Sequence, residues 1–289
     1  MPEKERLIVI DANSVIHRAY HALPPLTTKK GELANAVYGF LLVFLRVIKE
    51  FRPDYIAAAF DLPLPTFRHD RFKEYKAKRL KTPDDLRSQI TKTKEILLAF
   101  GVPVFEKEKF EADDIIGTLA ELASSEIETI IVSGDFDVLQ LVSPKTKAYV
   151  LRKGVKDIVL YDETLVRERY QGLNQRQIID FKALRGDPSD NIPGVRGIGE
   201  KTAFDLIKEF NNLNNLYENI SDVKPRAKEL LLAQKENAFL SRDLSAIRKD
   251  APIELDLSRC DFNKNYNKEA ARQALESLEF YSLIKRLPS

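Results

Sequence analysis

The sequence predicts an α/β fold, a mostly parallel central sheet flanked by helices, followed by a helical lobe. Three observations predict it. Apolar runs at Leu7–Ile10, Tyr55–Phe60 and Thr129–Val132 read as strands buried on both faces, the pattern of parallel sheets covered by helices. Longer helical segments alternate with these runs, as in βαβ units. After Asp162 the strand-like runs stop, and helical segments with polar connectors take over.

At 289 residues the chain can form one large domain or two smaller ones. The expected division is an α/β core over 1–161, including a basic segment at about 63–90, and a helical lobe over 162–289. Net charge is only +2, so any preference for a polyanion must come from a local patch. The single cysteine, Cys260, allows no internal disulfide and no zinc cluster, which suits a reducing cytosol; a cytoplasmic location is the expectation. The start, Met1 to Arg6, lacks the apolar stretch of a signal peptide. The longest apolar stretch, near Ala36 to Ile48, is interrupted by Arg46 and too short for a bilayer, so no membrane role is expected.

In chain order, Leu7–Ile10 is a buried strand with Asp11 directly after it. Ligand sites of open parallel sheets lie just beyond the carboxyl ends of strands. Asp11 therefore sits where a functional carboxylate would, although a helix N-cap before Val15 also explains it. Ala34 to Phe51 is a helix apolar nearly all round through Leu45, hence central, and Pro53 ends it. Tyr55–Phe60 is the second strand, and Asp61 repeats the arrangement of Asp11.

Seven cations then fall within fourteen residues, Arg68 to Lys81, with Phe67, Phe72 and Tyr75 among them. Cations neutralise phosphates and aromatic rings stack on bases; a solvated helix face is the plainer alternative. A helix from Leu86 to Phe100 ends at Gly101, and Val102–Phe105 is a third strand.

Glu111, Asp113 and Asp114 open the next helix, Ile115 to Ala123. Compensation of the helix dipole explains one or two acids there, but strains at three. The strand Thr129–Val132 leads into Ser133-Gly134-Asp135-Phe136-Asp137. Carboxylates crowded in this way repel one another unless cations lie between them, which points to magnesium. Two further strands flank a turn at Gly154.

Helices at Asp162–Tyr170 and Asn174–Leu184 precede a loop that carries Asp187, Asp190, Gly194, Gly197 and Gly199. A helix resumes at Lys201-Thr202 and runs to Phe210, so the helix–loop–helix spans about 174–210. Free N–H groups at such a helix start can hold a phosphate, and the glycines permit close approach; a plain helix hairpin is the alternative. A last amphipathic helix is expected from Glu269 to Leu287. No chemistry is assigned to Cys260, His17, His21 or His69.

These motifs carry a resemblance. Val9-Ile10-Asp11, Phe60-Asp61, Phe67-Arg68-His69, Tyr75 to Arg79, Glu111 to Asp114, Ser133 to Asp137, Gly186 to Asn191, Gly194 to Thr202 and Leu278 to Phe280 stand in order along nearly the whole chain. The chain resembles the bacterial 5′ nuclease family, the 5′→3′ exonuclease domain at the front of bacterial DNA polymerase I, related to the flap endonucleases. The resemblance implies a PIN-like 5′ nuclease core with a helical arch and a helix–three-turn–helix of the helix-hairpin-helix kind. The sequence ends where a polymerase part would begin, so a stand-alone exonuclease is expected.

By resemblance, a first metal site would involve Asp11, Asp61, Glu111 and Asp113, with Asp114 beside them. A second would involve Asp135, Asp137, Asp187 and Asp190. Lys76 and Arg79 match the basic pair that approaches the scissile phosphate, while Arg68 and Tyr75 lie in the arch that meets DNA. Gly194, Gly197, Gly199, Lys201 and Thr202 match the loop that grips the duplex, where a potassium ion is expected. The cofactor is two Mg2+ ions, with Mn2+ as a substitute. The implied activity is a two-metal 5′→3′ exonuclease and 5′-flap endonuclease in DNA replication and repair, removing primers or flaps. Its substrates would be flaps, nicks and 5′ ends of DNA, RNA-primed ones included. The protein would be a monomer working beside a DNA polymerase.

One position departs from the family. A basic residue usually separates the two acids at 135 and 137; here it is Phe136. The departure keeps open a catalytically weak flap-binding or branched-DNA-binding protein. A single-strand ribonuclease is the other alternative, against which the basic segment and glycine loop argue.

Overall fold

The structure is a computed structural model that describes residues 4–123 and 126–288; Met1 to Glu3, the expected lead-in to the first strand, and Ser289 lie outside the described residues. In chain order the elements are β1 (Arg6–Asp11), α1 (Ala12–Ala22), α2 (Asn35–Phe51), β2 (Tyr55–Ala59), α3 (Phe67–Arg71), α4 (Asp84–Ala99), β3 (Val104–Phe105), α5 (Ala112–Leu122), β4 (Glu128–Ser133), β5 (Thr146–Lys153) and β6 (Asp157–Tyr161). Helices follow: α6 (Glu163–Arg169), α7 (Gln175–Arg185), α8 (Glu200–Phe210), α9 (Leu213–Glu218), α10 (Pro225–Ala233), α11 (Lys235–Ser245), α12 (Leu257–Cys260), α13 (Phe262–Asn265), α14 (Lys268–Ser277) and α15 (Tyr281–Ile284). Among the described residues no helix is long and apolar enough to cross a membrane.

By internal contacts the chain forms two compact units, residues 1–63, 82–161 and 248–289 in the first and 64–81 and 162–247 in the second. The sequence reading divides the chain differently, as 1–161 and 162–289. The crossing between 161 and 162 is common to both divisions. The other differences have visible causes within each unit. Phe262, Leu275, Leu278 and Phe280 join the apolar core of the sheet. Residues 64–81 pack within the second unit, where Tyr75 is buried with Ile192 and Leu244.

In the first unit the described strands form one sheet in the order β3-β2-β1-β4-β5-β6. All neighbours run parallel except β6, which pairs antiparallel with β5 across the Gly154 turn. The chain moves outward from β1 to β2 and β3, then crosses to β4 on the other side. The carboxyl ends of β1 and β4 therefore flank a topological switch point, where open α/β sheets bind ligands. Val9 and Ile131 pair across these strands and are fully buried, as the continuous apolar runs require. The central helix α2 buries Phe40 and Phe44, and Phe100 meets the latter edge-on at 5.3 Å.

The second unit is helical, with a core in which Phe181 and Phe204 stack at 4.2 Å. The expected final helix is broken in the structure: α14 ends at Ser277, Glu279 takes a left-handed φ of 60°, and α15 restarts at Tyr281. The turn inserts Leu278 and Phe280 into the core, which a straight amphipathic helix could not do together. Helix α5 starts at Ala112, earlier than the periodicity suggests, because Glu111 serves as its N-cap.

Candidate active site

The first unit gathers acids at the carboxyl edge of its sheet. Asp11 is both the last residue of β1 and the N-cap of α1, accepting from the Ser14 amide at 3.1 Å. The two readings of Asp11, cap and site acid, are thus compatible. Its other oxygen accepts from the Ser133 hydroxyl at 2.6 Å, at the end of β4. The Ser133 oxygen also accepts from the Asp135 amide at 2.9 Å. The Gly134 amide donates to the Ser14 hydroxyl, and a side chain at 134 would meet the Ser14 carbonyl at 2.8 Å, so only glycine fits. One serine therefore links Asp11 to the backbone of Asp135 across the switch point.

Asp61, two residues past β2, accepts from the Ala112 amide at 2.8 Å and so reaches the start of α5. Burial pushes the Asp11 carboxyl up to about 6; hydrogen bonds from Ser133 and Ser14 oppose that shift, and the Asp61 charge adds to it. Buried Asp11 is thus short of positive charge. Asp135 is exposed and accepts from the Asp137 amide at 3.0 Å, while Asp137 opens a 3-10 turn. Phe136 turns its ring onto Tyr161 edge-to-face, at 6.1 Å between centroids. An aromatic side chain at this position packs against the sheet edge where a basic one would remain solvated.

Glu111 and Asp114 form a capping box at the start of α5. Asp114 is fully buried; its two oxygens accept from the Glu111 amide at 3.0 Å and the Arg248 amide at 2.8 Å. Its carboxylate fastens two stretches of backbone, a structural task that its expected place beside the metal ligands did not include. Asp113 follows Ala112 in the same turn and is half-buried.

The donor set suits a hard cation. It consists of carboxylates and hydroxyls, and among the described residues the buried Asp11 carboxylate has no ion pair. Among the described residues, however, no three acidic, histidine or cysteine side chains converge closely enough to hold an ion by direct contact alone. Magnesium fits such a set because it keeps several waters and contacts many carboxylates through them.

In the second unit, Asp187 and Asp190 lie on a tight loop closed by paired backbone bonds between Asp187 and Ile192. Burial works to raise the Asp187 carboxyl, but the Lys182 ammonium at 2.8 Å and the Ser189 hydroxyl hold it down at about 2. Asp190 is buried and paired with Arg79; Lys76 Nζ lies 3.9 Å away, and the Tyr75 hydroxyl donates at 3.2 Å. Three expected site residues of the basic segment thus converge on one expected metal acid.

Two residues expected to meet DNA are placed otherwise. Arg68 is 2% exposed, and its guanidinium donates to the carbonyls of Leu244 and Ala246 at 2.9 and 2.8 Å. Tyr75 is 3% exposed, with its hydroxyl on Asp190. Without DNA, packing within the unit takes both side chains out of solvent. In the loop, Gly194 (φ 62°) abuts Gly186 so closely that a side chain would sit 2.4 Å from its nitrogen. Gly197 also has a positive φ, 100°, whereas Gly199 has neither a positive φ nor any neighbour within 4 Å. Gly199 is the exposed N-cap of α8, ahead of exposed Lys201 and half-buried Thr202.

Sequence reasoning missed Ser14, Ser133 and Lys182. The first two could have been found from Asp-x-x-Ser at a strand–helix junction and Ser-Gly at a strand end. Lys182 carried no such signal.

Residues 6–171 match the family model described as 5′-3′ exonuclease, N-terminal resolvase-like domain, and residues 173–268 match 5′-3′ exonuclease, C-terminal SAM fold. The chain belongs to the 5′-3′ exonuclease family. This 5′ nuclease chain is 43% identical to DNA polymerase I of Bacillus subtilis over 99% of its own length and 33% of the relative. It is 42% identical to DNA polymerase I of Chloroflexus aurantiacus, over 98% of this chain and 31% of that one. It thus spans about a third of the length of these curated relatives. Among solved structures, it is similar to the zinc-bound T5 5′-exonuclease, with a TM-score of 0.72 at 19% identity over 95% of this chain and 98% of that one. It is also similar to the catalytic core of Rad2 in complex with DNA substrate, with a TM-score of 0.57 at 17% identity over 98% and 93%. These likenesses establish a 5′ nuclease fold, with a mostly parallel sheet and a helical carboxyl-terminal domain.

Proposed function

We propose that this chain is a magnesium-dependent 5′→3′ exonuclease and 5′-flap endonuclease that hydrolyses DNA phosphodiester bonds with two metal ions. The observation that carries this reading is the triad Asp11–Ser133–Asp135 at the switch point, with Asp61 beside it and Asp11 raised to about 6 by burial. A buried acid such as Asp11, with no ion pair among the described residues, is what an ion-binding site needs before its ions arrive. The T5 5′-exonuclease neighbour was solved with divalent metal ions (zinc), and a T5 flap endonuclease neighbour with DNA and metal ions, which supports the same reading.

Asp11, Asp61, Glu111, Asp113, Asp135 and Asp137 would hold the ions, mostly through water, and by resemblance Asp187 and Asp190 serve the second ion. When bound, the ions supply charge stabilisation for the attacking water, the phosphoryl group and the leaving oxygen. Ser133 fixes the orientation of Asp11 and the backbone of Asp135. Lys76 and Arg79 would leave Asp190 and meet the charge of the scissile phosphate. The open approach to Gly199 lets a backbone phosphate reach the first amides of α8 near Lys201 and Thr202. A potassium ion at that loop, Mn2+ in place of Mg2+, RNA-primed 5′ ends as substrates, a polymerase partner, a monomeric state and a cytoplasmic location belong to the same proposal.

A labelled 5′-flap duplex incubated with Mg2+, and separately with EDTA, tests it. Cleavage near the flap junction only with Mg2+ is the expected result. Phe136, which packs on Tyr161 where the family places a cation, favours a second reading, a branched-DNA-binding protein with weak catalysis. Binding of the flap without cleavage would select that reading.

A further inference from the structure

A cavity of about 1340 Å³ opens in the first unit between α2, the β5–β6 turn and the segment after α15. Its apolar lining is mostly aliphatic, including Leu42, Leu45, Ile48, Val155 and Leu287, with Tyr38 and buried Phe262 beside them. Its lining residues include Arg46, Lys49, Arg52, Lys156, Lys285 and Arg286, and no acid. The whole chain has 46 basic and 44 acidic residues, so a lining whose charged residues are all basic is not a reflection of composition. Arg46 is paired with Glu50. The other five cations are exposed and have no ion pair among the described residues. None of the eight acids proposed to hold the ions lines the cavity.

We infer that this cavity is a docking site for an acidic amphipathic peptide segment of a partner protein. Unpaired cations around an apolar lining ask for two things together: anions at the edge and aliphatic or aromatic side chains within. A helix with Leu or Phe on one face and Asp or Glu beside it supplies both. A nucleic-acid backbone supplies the charge but leaves the apolar lining unmatched. The volume exceeds the range of about 300–1,000 Å³ usual for small-molecule pockets, which favours a chain segment over a metabolite.

The test uses the full chain and a fluorescein-labelled peptide designed as such a helix, followed by anisotropy. Two control peptides replace its apolar residues with Ser or its acids with Lys, and a single-stranded oligonucleotide serves as competitor. The acidic amphipathic peptide is expected to bind. A triple variant, Lys49→Glu with Arg52→Glu and Lys285→Glu, should weaken it by about tenfold or more, and Leu42→Gln by about threefold. Bound peptide should protect Lys49, Lys156 and Lys285 from acetylation, and flap cleavage by the triple variant should stay within about twofold of wild type. These three changes are on exposed side chains and leave the core intact. Equal binding of the serine peptide, absence of protection, or displacement of the peptide by the oligonucleotide would each overturn the assignment.

Discussion

Arg79 and Asp190 form an ion pair inside the second unit, with Lys76 and the Tyr75 hydroxyl on the same carboxylate. The residues proposed to meet the scissile phosphate are therefore held by an acid proposed to serve a metal ion. Asp190 also accepts through its backbone carbonyl from the Lys76 amide at 2.8 Å. Asp190→Asn is expected to free the side chains while keeping that backbone bond. Trypsin should then cut after Lys76, Lys78 and Arg79 about tenfold faster than in wild type, read by mass spectrometry of early fragments. An unchanged rate would mean that the burial of Tyr75 with Ile192 and Leu244 holds the segment by itself.

Asp11 gives a pH signature. Its carboxyl lies at about 6 in the folded protein against an ordinary 3.8, so the fold keeps that proton more tightly than the unfolded chain does. Ionisation costs the fold nothing below both values, and the cost grows through this window and is complete above about pH 6, at about 3 kcal/mol. Asp11→Asn retains an oxygen for the Ser14 amide. It should stabilise the protein in EDTA by about 2 kcal/mol at pH 8, with about half of the gain remaining at pH 5. Urea denaturation at the two pH values measures this, and a gain independent of pH would refute it.

Arg68→Ala separates fastening from DNA contact. Two carbonyls lose their donor inside the unit, which should cost about 2–4 kcal/mol in urea denaturation. At a temperature where the variant is folded, its affinity for flap DNA should match wild type at every salt concentration. A salt slope lower by about one would instead reveal a phosphate contact.

Asp135→Asn tests the chemistry with little structural disturbance. The side chain is exposed, and an amide oxygen can still accept from Asp137. Flap cleavage with Mg2+ should fall by about a thousandfold or more, equivalent to about 4 kcal/mol of barrier. DNA affinity should stay within about twofold, and stability within about 0.5 kcal/mol. Full turnover would remove Asp135 from the proposed site.

Much of this was legible in the sequence. Continuous apolar runs ending in Asp11 and Asp61 specified parallel strands with acids at their carboxyl ends, because burial on both faces leaves only the strand ends for polar groups. What escaped were features that depend on distant parts of the chain. Arg68 reads as one cation of a basic run until Leu244 and Ala246 offer it carbonyls. Asp114 reads as a third acid of a cluster until the Arg248 amide, 134 residues on, claims one of its oxygens. Lys182 is one charge on a helix until Asp187 folds beside it. The break at Glu279 was hidden because Ala271, Leu275 and Leu278 keep a helical spacing right up to it.

The bond from the Arg248 amide to buried Asp114 also bears on how this chain could be trimmed. The first family match stops at residue 171, yet the helix that presents Glu111 and Asp113 is moored to backbone far beyond it. Cutting the chain before Arg248 would strand a buried carboxylate oxygen and strip Phe262, Leu275 and Phe280 from the sheet's core. The acidic half is therefore not a detachable cassette: inherited or engineered as a contiguous fragment, it would lack the last stretch of its own scaffold.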